Sequence, residues 1–202
     1  MPIKQFIKKK NQWYERNVKL SKLNCKKFID IKFDIKKIEK EIGFNISSKQ
    51  NFIEYSPLTM KYLKIISRKI TSSTGGILII DYGYWDNKMK NTLQSISNHD
   101  FNDVLKNFGK ADITYNLNFR LIEKMLKKLN LKIIGKESQK NFLINLGILK
   151  RAEIISKNLA FSKKVNIYSR IKRLTDKNLM GDLFKVISAT KKGINFYTGF
   201  TS

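Results

Sequence analysis

The sequence predicts an α/β protein built on a mostly parallel sheet. Three observations predict it. The apolar run at residues 77–80 follows a glycine pair directly. An apolar pattern at helical spacing leads straight into that run, and the alternation recurs down to a closing apolar run at residues 183–189.

The elements follow in chain order. QWYERNVKL and KKFIDIKF alternate apolar and polar residues and read as two strands, which belong either to the sheet or to an insertion. DIKKIEKEIG reads as a short helix stopped by Gly43. Ser56 is placed to cap a helix with Pro57 at its first position, and Leu58, Tyr62, Leu63, Ile65, Ile66 and Ile70 recur at helical spacing behind it. Ser72-Ser73-Thr74-Gly75-Gly76 ends that helix, and a fully buried strand at 77–80 comes next. Residues 92–97 and 111–117 read as extended, and Asn118 is a candidate cap for a helix bearing Phe119, Ile122, Met125, Leu126 and Leu129. A short strand at 131–134, helices at 138–146, 148–159 and 164–174, and the closing strand at 183–189 complete the chain.

At 202 residues the chain suits a single domain with a sizeable core, and 42% of it is hydrophobic. No apolar run approaches the roughly 20 residues of a membrane-spanning helix. The single cysteine, Cys25, excludes an internal disulfide and any multi-cysteine metal site. The basic start MPIKQFIKKKNQW has no apolar core behind it, and Lys stands where a transit peptide favours Arg and Ser. The expected compartment is a bacterial cytoplasm, or the mitochondrial matrix in a eukaryote. The formal charge of +25 invites a nucleic-acid reading, but 35 of the 41 cations are Lys and only six are Arg, and they are spread along the chain. A Lys, Ile and Asn excess with two Pro also fits plain AT-biased composition.

Candidate chemistry starts at the end of the apolar strand, because ligands of open α/β sheets bind beyond the carboxyl ends of strands. Asp81, Tyr82 and Gly83 stand there: an orienting carboxylate, a wall and a turn, or equally a capping acid and a packed ring. His99, the only histidine, is a candidate proton acceptor or simply a surface residue. Asp112 and Thr114 alternate with apolar residues and share one strand face, lining a pocket or facing solvent. Gln139 and Phe142 share one helix side, and 180–184 reads as a tight turn into the last strand. Gly-x-Gly occurs nowhere, and no nucleophile elbow or zinc set is present.

Taken in order, five blocks resemble a known family. GGILIIDYG, NTLQSISNHDFNDVL, FGKADITYNLNF, ESQKNFLINLGI and MGDLFKVI are similar to successive blocks of the MidA-like proteins, and PIKQF with WYERNV resembles the segment before them. Val104, Asn116-Leu117 and Ser138 depart mildly from the family pattern. The resemblance implies the C-terminal part of a Rossmann-like class I S-adenosylmethionine-dependent methyltransferase, with an inserted β/α segment and additional C-terminal helices. Residues 1–56 are then an insertion or substrate region, and 57–202 the sheet core and helices. It further implies methylation of arginine in a protein substrate, with a role in assembling respiratory complex I. Asp81, Asp112 and His99 become the catalytic candidates, and Tyr82, Gly83, Thr114 and Gln139 the substrate-lining ones.

The glycine-rich E-x-G-P-G-x-G cofactor loop of the family has no counterpart in these residues. The chain therefore reads as a truncated portion awaiting its N-terminal half, with an apolar strand edge uncovered, poor solubility, and little or no cofactor binding by itself. Two other readings stay open: a non-catalytic basic module for nucleic acid or protein, and an inactive gene fragment.

Overall fold

A computed structural model describes residues 2–21, 25–98, 100–194 and 197–200. In chain order the elements are β1 (Lys4–Lys9), β2 (Gln12–Leu20), β3 (Lys26–Lys32), α1 (Lys36–Ile42), β4 (Phe52–Tyr55), α2 (Pro57–Ser72), β5 (Gly76–Tyr84), β6 (Gln94–Ser97), β7 (Asp100–Asn102), β8 (Asp112–Thr114), β9 (Leu117–Asn118), α3 (Phe119–Lys128), β10 (Leu131–Ser138), α4 (Gln139–Asn145), α5 (Ile148–Ser156), α6 (Phe161–Thr175), α7 (Met180–Leu183) and β11 (Phe184–Lys191). They fall into two compact units: Met1–Leu63 with Asp86–Asn118, and Lys64–Trp85 with Phe119–Ser202.

The first unit carries an antiparallel sheet in the order β3-β2-β1-β4. Lys9 pairs with Gln12, so the β1–β2 connection is the two residues Lys10 and Asn11, both at positive φ. That backbone twist matches the twist of the flanking strands and sets the register. Phe6 is fully buried, with its ring 4.8 Å from Phe33 and 6.3 Å from Tyr55. The lysines of IKQFIKKK hide the alternation of β1, and β4 is only four residues long, so sequence pattern found neither. α1 stops where expected, on Gly43 in the left-handed conformation, whose N–H donates to the Glu39 carbonyl. A second small sheet joins β7, β6 and β8.

The second unit holds three long strands in the order β10-β11-β5. β11, last in sequence, lies between the other two and is antiparallel to both. This corrects the expectation of a mostly parallel sheet: the β1–β2, β1–β4, β2–β3, β6–β7, β6–β8, β10–β11 and β11–β5 pairings are all antiparallel. The cause is connectivity. α4 to α7 return the chain so that β11 enters from the end where β10 finished, and direction follows from that return rather than from strand composition. Residues 180–184, expected as a turn, form the single turn of α7 and the start of β11.

α3 covers one face of this sheet with Ile122, Met125 and Leu126, all essentially buried. α4 packs on β10 and β11, where Phe142 joins Ile134, Val186 and Phe200 in one apolar cluster. Ser138 caps α4, accepting from the Asn141 N–H at 3.2 Å. In the same way Ser56 accepts from the Thr59 N–H at 3.2 Å, as its place before Pro57 predicts. β5 runs longer than its apolar core and is not fully buried: its residues alternate between exposed and half-buried positions. The reading of residues 77–80 as a strand buried on both faces is thereby corrected.

Candidate functional site

β5 runs on to Tyr84, so Asp81, Tyr82 and Gly83 lie within its carboxyl-terminal part, and Gly83 is strand rather than the expected turn. Asp81 sits opposite Lys185 of β11, and Tyr82 opposite Phe184, with ring centroids 4.2 Å apart. The Asp81 carboxylate is half-buried and accepts the Tyr82 N–H at 2.8 Å. Burial pushes its pKa above the usual carboxylate value, against the lowering effect of that N–H bond. Lys185 does not neutralise it, because its ammonium donates to the Asp182 carbonyl. A half-buried carboxylate with raised proton affinity near a strand end can accept hydrogen bonds from a cationic donor and take up a proton.

The other candidates lie in two places. Asp112 and Thr114 share one face of β8 in the first unit; Asp112 is exposed, and Thr114 accepts from Gln94 Nε2 at 3.2 Å. Asp81, Tyr82 and Gly83 lie in the second unit. Gln139 is also in the second unit, buried, with its amide donating to the Leu174 carbonyl at 3.0 Å and so tying α4 to the end of α6. His99 lies outside the described residues.

Two polar clusters escaped the sequence reading. In the first unit Glu54 of β4 is buried and gathers three donors. Gln5 Nε2 reaches it at 2.6 Å, the Thr92 N–H at 3.2 Å, and the Thr92 hydroxyl also donates to it. Gln5 donates as well to Asn91 Oδ1 at 2.9 Å, and the Thr92 hydroxyl accepts the Asn116 N–H at 2.9 Å. Beyond Gln5, the Arg16 guanidinium faces Asp30 at 3.9 Å. The one sequence signal was an acid between Ile53 and Tyr55, in a strand otherwise apolar.

In the second unit Glu123 of α3 is buried beneath Lys127 at 2.7 Å, Arg120 at 3.1 Å and Lys136 at 3.3 Å. Burial opposes ionisation of Glu123, yet the ammonium groups of Lys127 and Lys136 outweigh it and hold the carboxyl below its usual range. Glu123, Lys127, Lys132, Lys136 and Lys192 line an open cleft of about 600 Å³. The spacing of Arg120, Glu123 and Lys127 by three and four residues was the available signal. Among the described residues no group of His, Cys, Asp or Glu could hold a metal ion. No helix among them is long and apolar enough to cross a membrane.

Comparison with known proteins adds four findings. Residues 1–136 match the family described as "Putative S-adenosyl-L-methionine-dependent methyltransferase". A zebrafish (Danio rerio) protein, the mitochondrial protein arginine methyltransferase NDUFAF7, is 23% identical over 188 residues, covering 93% of this chain and 44% of its own length. A native crystal structure of a Burkholderia thailandensis protein superimposes with a TM-score of 0.85 at 21% identity, covering 100% of this chain and 55% of that one. A further structure from that organism, bound to S-adenosyl-homocysteine, superimposes with a TM-score of 0.80 at 21% identity, covering 98% and 52%. The chain thus spans less than half the length of the curated relative and about half that of the solved ones.

Proposed function

The chain belongs to this family of S-adenosyl-L-methionine-dependent methyltransferases, and from that premise we propose that it forms the C-terminal part of an enzyme that methylates arginine in a protein substrate. The observation that carries the reading is the family match across residues 1–136, more than half of the chain. The name of the zebrafish relative supports arginine as the acceptor, and the bound S-adenosyl-homocysteine of the Burkholderia structure supports the cofactor. By the same reading the substrate belongs to the respiratory chain, as an assembly factor of complex I requires.

The residues in hand do not fit the whole cofactor. In the family the resemblance points to, the nucleoside cofactor is approached closely by the backbone of a glycine-rich turn, and Gly-x-Gly occurs nowhere in this sequence. The cleft beside α3 and β10 is lined by Glu123 and four lysines together with Leu131, Ile133 and Ile134, away from the end of β5. The 202 residues alone are therefore inactive in this reading, and the remainder of the relatives' length supplies the missing walls.

What this chain contributes is acceptor chemistry. A guanidinium is protonated and a poor nucleophile until it is oriented and relieved of a proton. Asp81, carried on a rigid strand, accepts guanidinium N–H groups, and its raised proton affinity suits it to receive the proton. Tyr82 and Gly83, beside Asp81 on β5, are the lining residues of that unit in this reading, while Asp112, Thr114 and His99 are candidates carried by the first unit. Residues 1–56 are the substrate region in this reading. The Glu54 cluster holds Asn91 and Thr92, and with them the chain that leaves the Asp81 strand.

Isothermal titration of S-adenosyl-homocysteine tests the proposal. The 202-residue chain, folded by circular dichroism, is expected to show no binding, and the chain combined with the missing portion should bind near micromolar, about −8 kcal/mol. In that assembly Asp81→Asn should lower turnover at least tenfold while shifting folding stability by less than about 1 kcal/mol. Micromolar binding by the chain alone would show that its own residues complete the site. Undiminished turnover of the variant would remove Asp81 from the chemistry.

A further inference from the structure

Helix α6 carries apolar residues on two faces. Ile167, Ile171 and Leu174 follow one another at helical spacing and are half-buried, and α6 packs with α4, α5 and α7 inside the second unit. Phe161, Val165 and Tyr168 follow at the same spacing on another face, and they are 82%, 50% and 44% exposed. No residue described in α6 is buried. Ile154 and Ile155, near the end of α5, are exposed as well. A helix that is apolar all round normally lies in an interior. α6 has two apolar faces and a covering for one of them.

Charge says what kind of covering the second face fits. The 22 residues from Ile154 to Thr175 contain no acid and six cations: Lys157, Lys163, Lys164, Arg170, Lys172 and Arg173. Arg151, Arg170 and Arg173 are three of the six Arg in the whole chain. AT-biased composition accounts for lysine scattered along a sequence, but not for scarce arginine gathered on two adjacent helices. The salt bridges described in the second unit lie elsewhere, around Glu123 and between Lys150 and Glu153, so no described acid holds these six cations in place. By helical spacing Lys172 continues the line of Phe161, Val165 and Tyr168, with Lys164 and Arg173 to either side.

We propose that α6, with the end of α5, is an interfacial helix that holds this protein on a bilayer rich in anionic phospholipid headgroups. The helix lies in the plane of the surface and does not cross it. Phe161, Val165 and Tyr168 enter the boundary between headgroups and acyl chains, while the long cationic side chains reach back to the phosphates. A two-fold contact between copies of this chain through α6 would set the same cations against one another. Cations that no acid fixes suit the diffuse negative charge of a headgroup layer, which accepts them wherever they stand. This surface function goes beyond the proposed methyl transfer and does not depend on it.

Flotation of the 202-residue chain with phosphatidylcholine vesicles containing about 30% phosphatidylglycerol, at about 0.15 M salt, tests the proposal. At least tenfold more protein should float than with phosphatidylcholine alone. Phe161→Glu should cut that binding at least tenfold, and so should Arg170→Gln combined with Arg173→Gln. Glutamate in the first turn of α6 suits the helix dipole, so Phe161→Glu should keep the fold, which circular dichroism checks. Phe101→Glu, an exposed position on β7 of the first unit, makes the same change of charge and should leave binding within about twofold of wild type. Equal losses from Phe161→Glu and Phe101→Glu would show adsorption by net charge alone and overturn the proposal. Equal flotation on the two kinds of vesicle would overturn it too, as would no flotation by a folded chain. A chain that ignores the vesicles and binds polyglutamate through Phe161 would assign the face to an acidic polypeptide instead. A dimer that Phe161→Glu dissociates would assign it to a second copy.

Discussion

Asp81 and Glu123 are carboxylates of the same unit in opposite electrostatic situations. Asp81 is held above its usual pKa by burial, so at neutral pH its charge works against the fold. Glu123 is buried more completely, but Lys127 and Lys136 reverse the sign. A carboxyl whose folded pKa lies below its unfolded value contributes stability that is present above the ordinary 4.5 and lost as pH falls through the folded value. Glu123→Gln is therefore expected to cost about 1–2 kcal/mol at pH 7, discounted because Lys127 and Arg120 are well exposed. In urea titrations the gap between variant and wild type should narrow progressively as pH falls below 4.5. A gap that does not change with pH would mean that Glu123 acts through packing and not through its charge.

At the scale of elements, the short connection from α6 into β11 leaves the least room. Gly181 in α7 is buried, and a Cβ there would lie 2.5 Å from the Thr175 carbonyl oxygen and 2.7 Å from that of Asp176. Both neighbours are backbone, so they cannot yield as a side-chain tip would. Its N–H also donates to the Asp176 carbonyl at 3.0 Å, which closes the turn between the two helices. Gly181→Ala should destabilise by about 1–3 kcal/mol, lowering the thermal midpoint by several degrees. Gly147→Ala is the control: there a Cβ meets open space, though φ is +79°, so its smaller loss measures backbone strain alone. If Gly181→Ala proved no worse than the control, α7 would have freedom to shift.

For the molecule as a whole the dominant number is the charge of +25. Several cations are already committed to acids, as in Lys4 with Glu15, Lys9 with Asp30 and the three around Glu123. The remainder are mostly lysines scattered over both units, and scattered lysines neutralise few phosphates at once. Binding to duplex DNA should therefore be weaker than about 10 μM at 0.15 M salt, with a logarithmic salt slope shallower than about −3. Nanomolar binding with a slope near −8 would favour the basic-module reading over composition. The five blocks between Gly75 and Ile187 argue the other way, since each occupies a defined element: β5, β6 with β7, β8 with β9, α4, and α7 with β11.

The sequence by itself determined the elements whose signals are local. Ser56-Pro57 started α2, Gly43 stopped α1, and the apolar run after Gly76 placed Asp81 near a strand end, because capping, turn chemistry and periodicity act within a few residues. The ordered blocks also carried the family. Tertiary structure alone decided which strands are neighbours, and hence that β11 enters antiparallel between β10 and β5. It alone gathered Gln5, Glu54 and Thr92 into one buried cluster, from three segments far apart in the chain. It also decided that β5, apolar enough for an interior strand, shows Leu78 and Ile80 to solvent. Burial is a property of what packs on a residue, and for β5 that covering is not local to its own sequence.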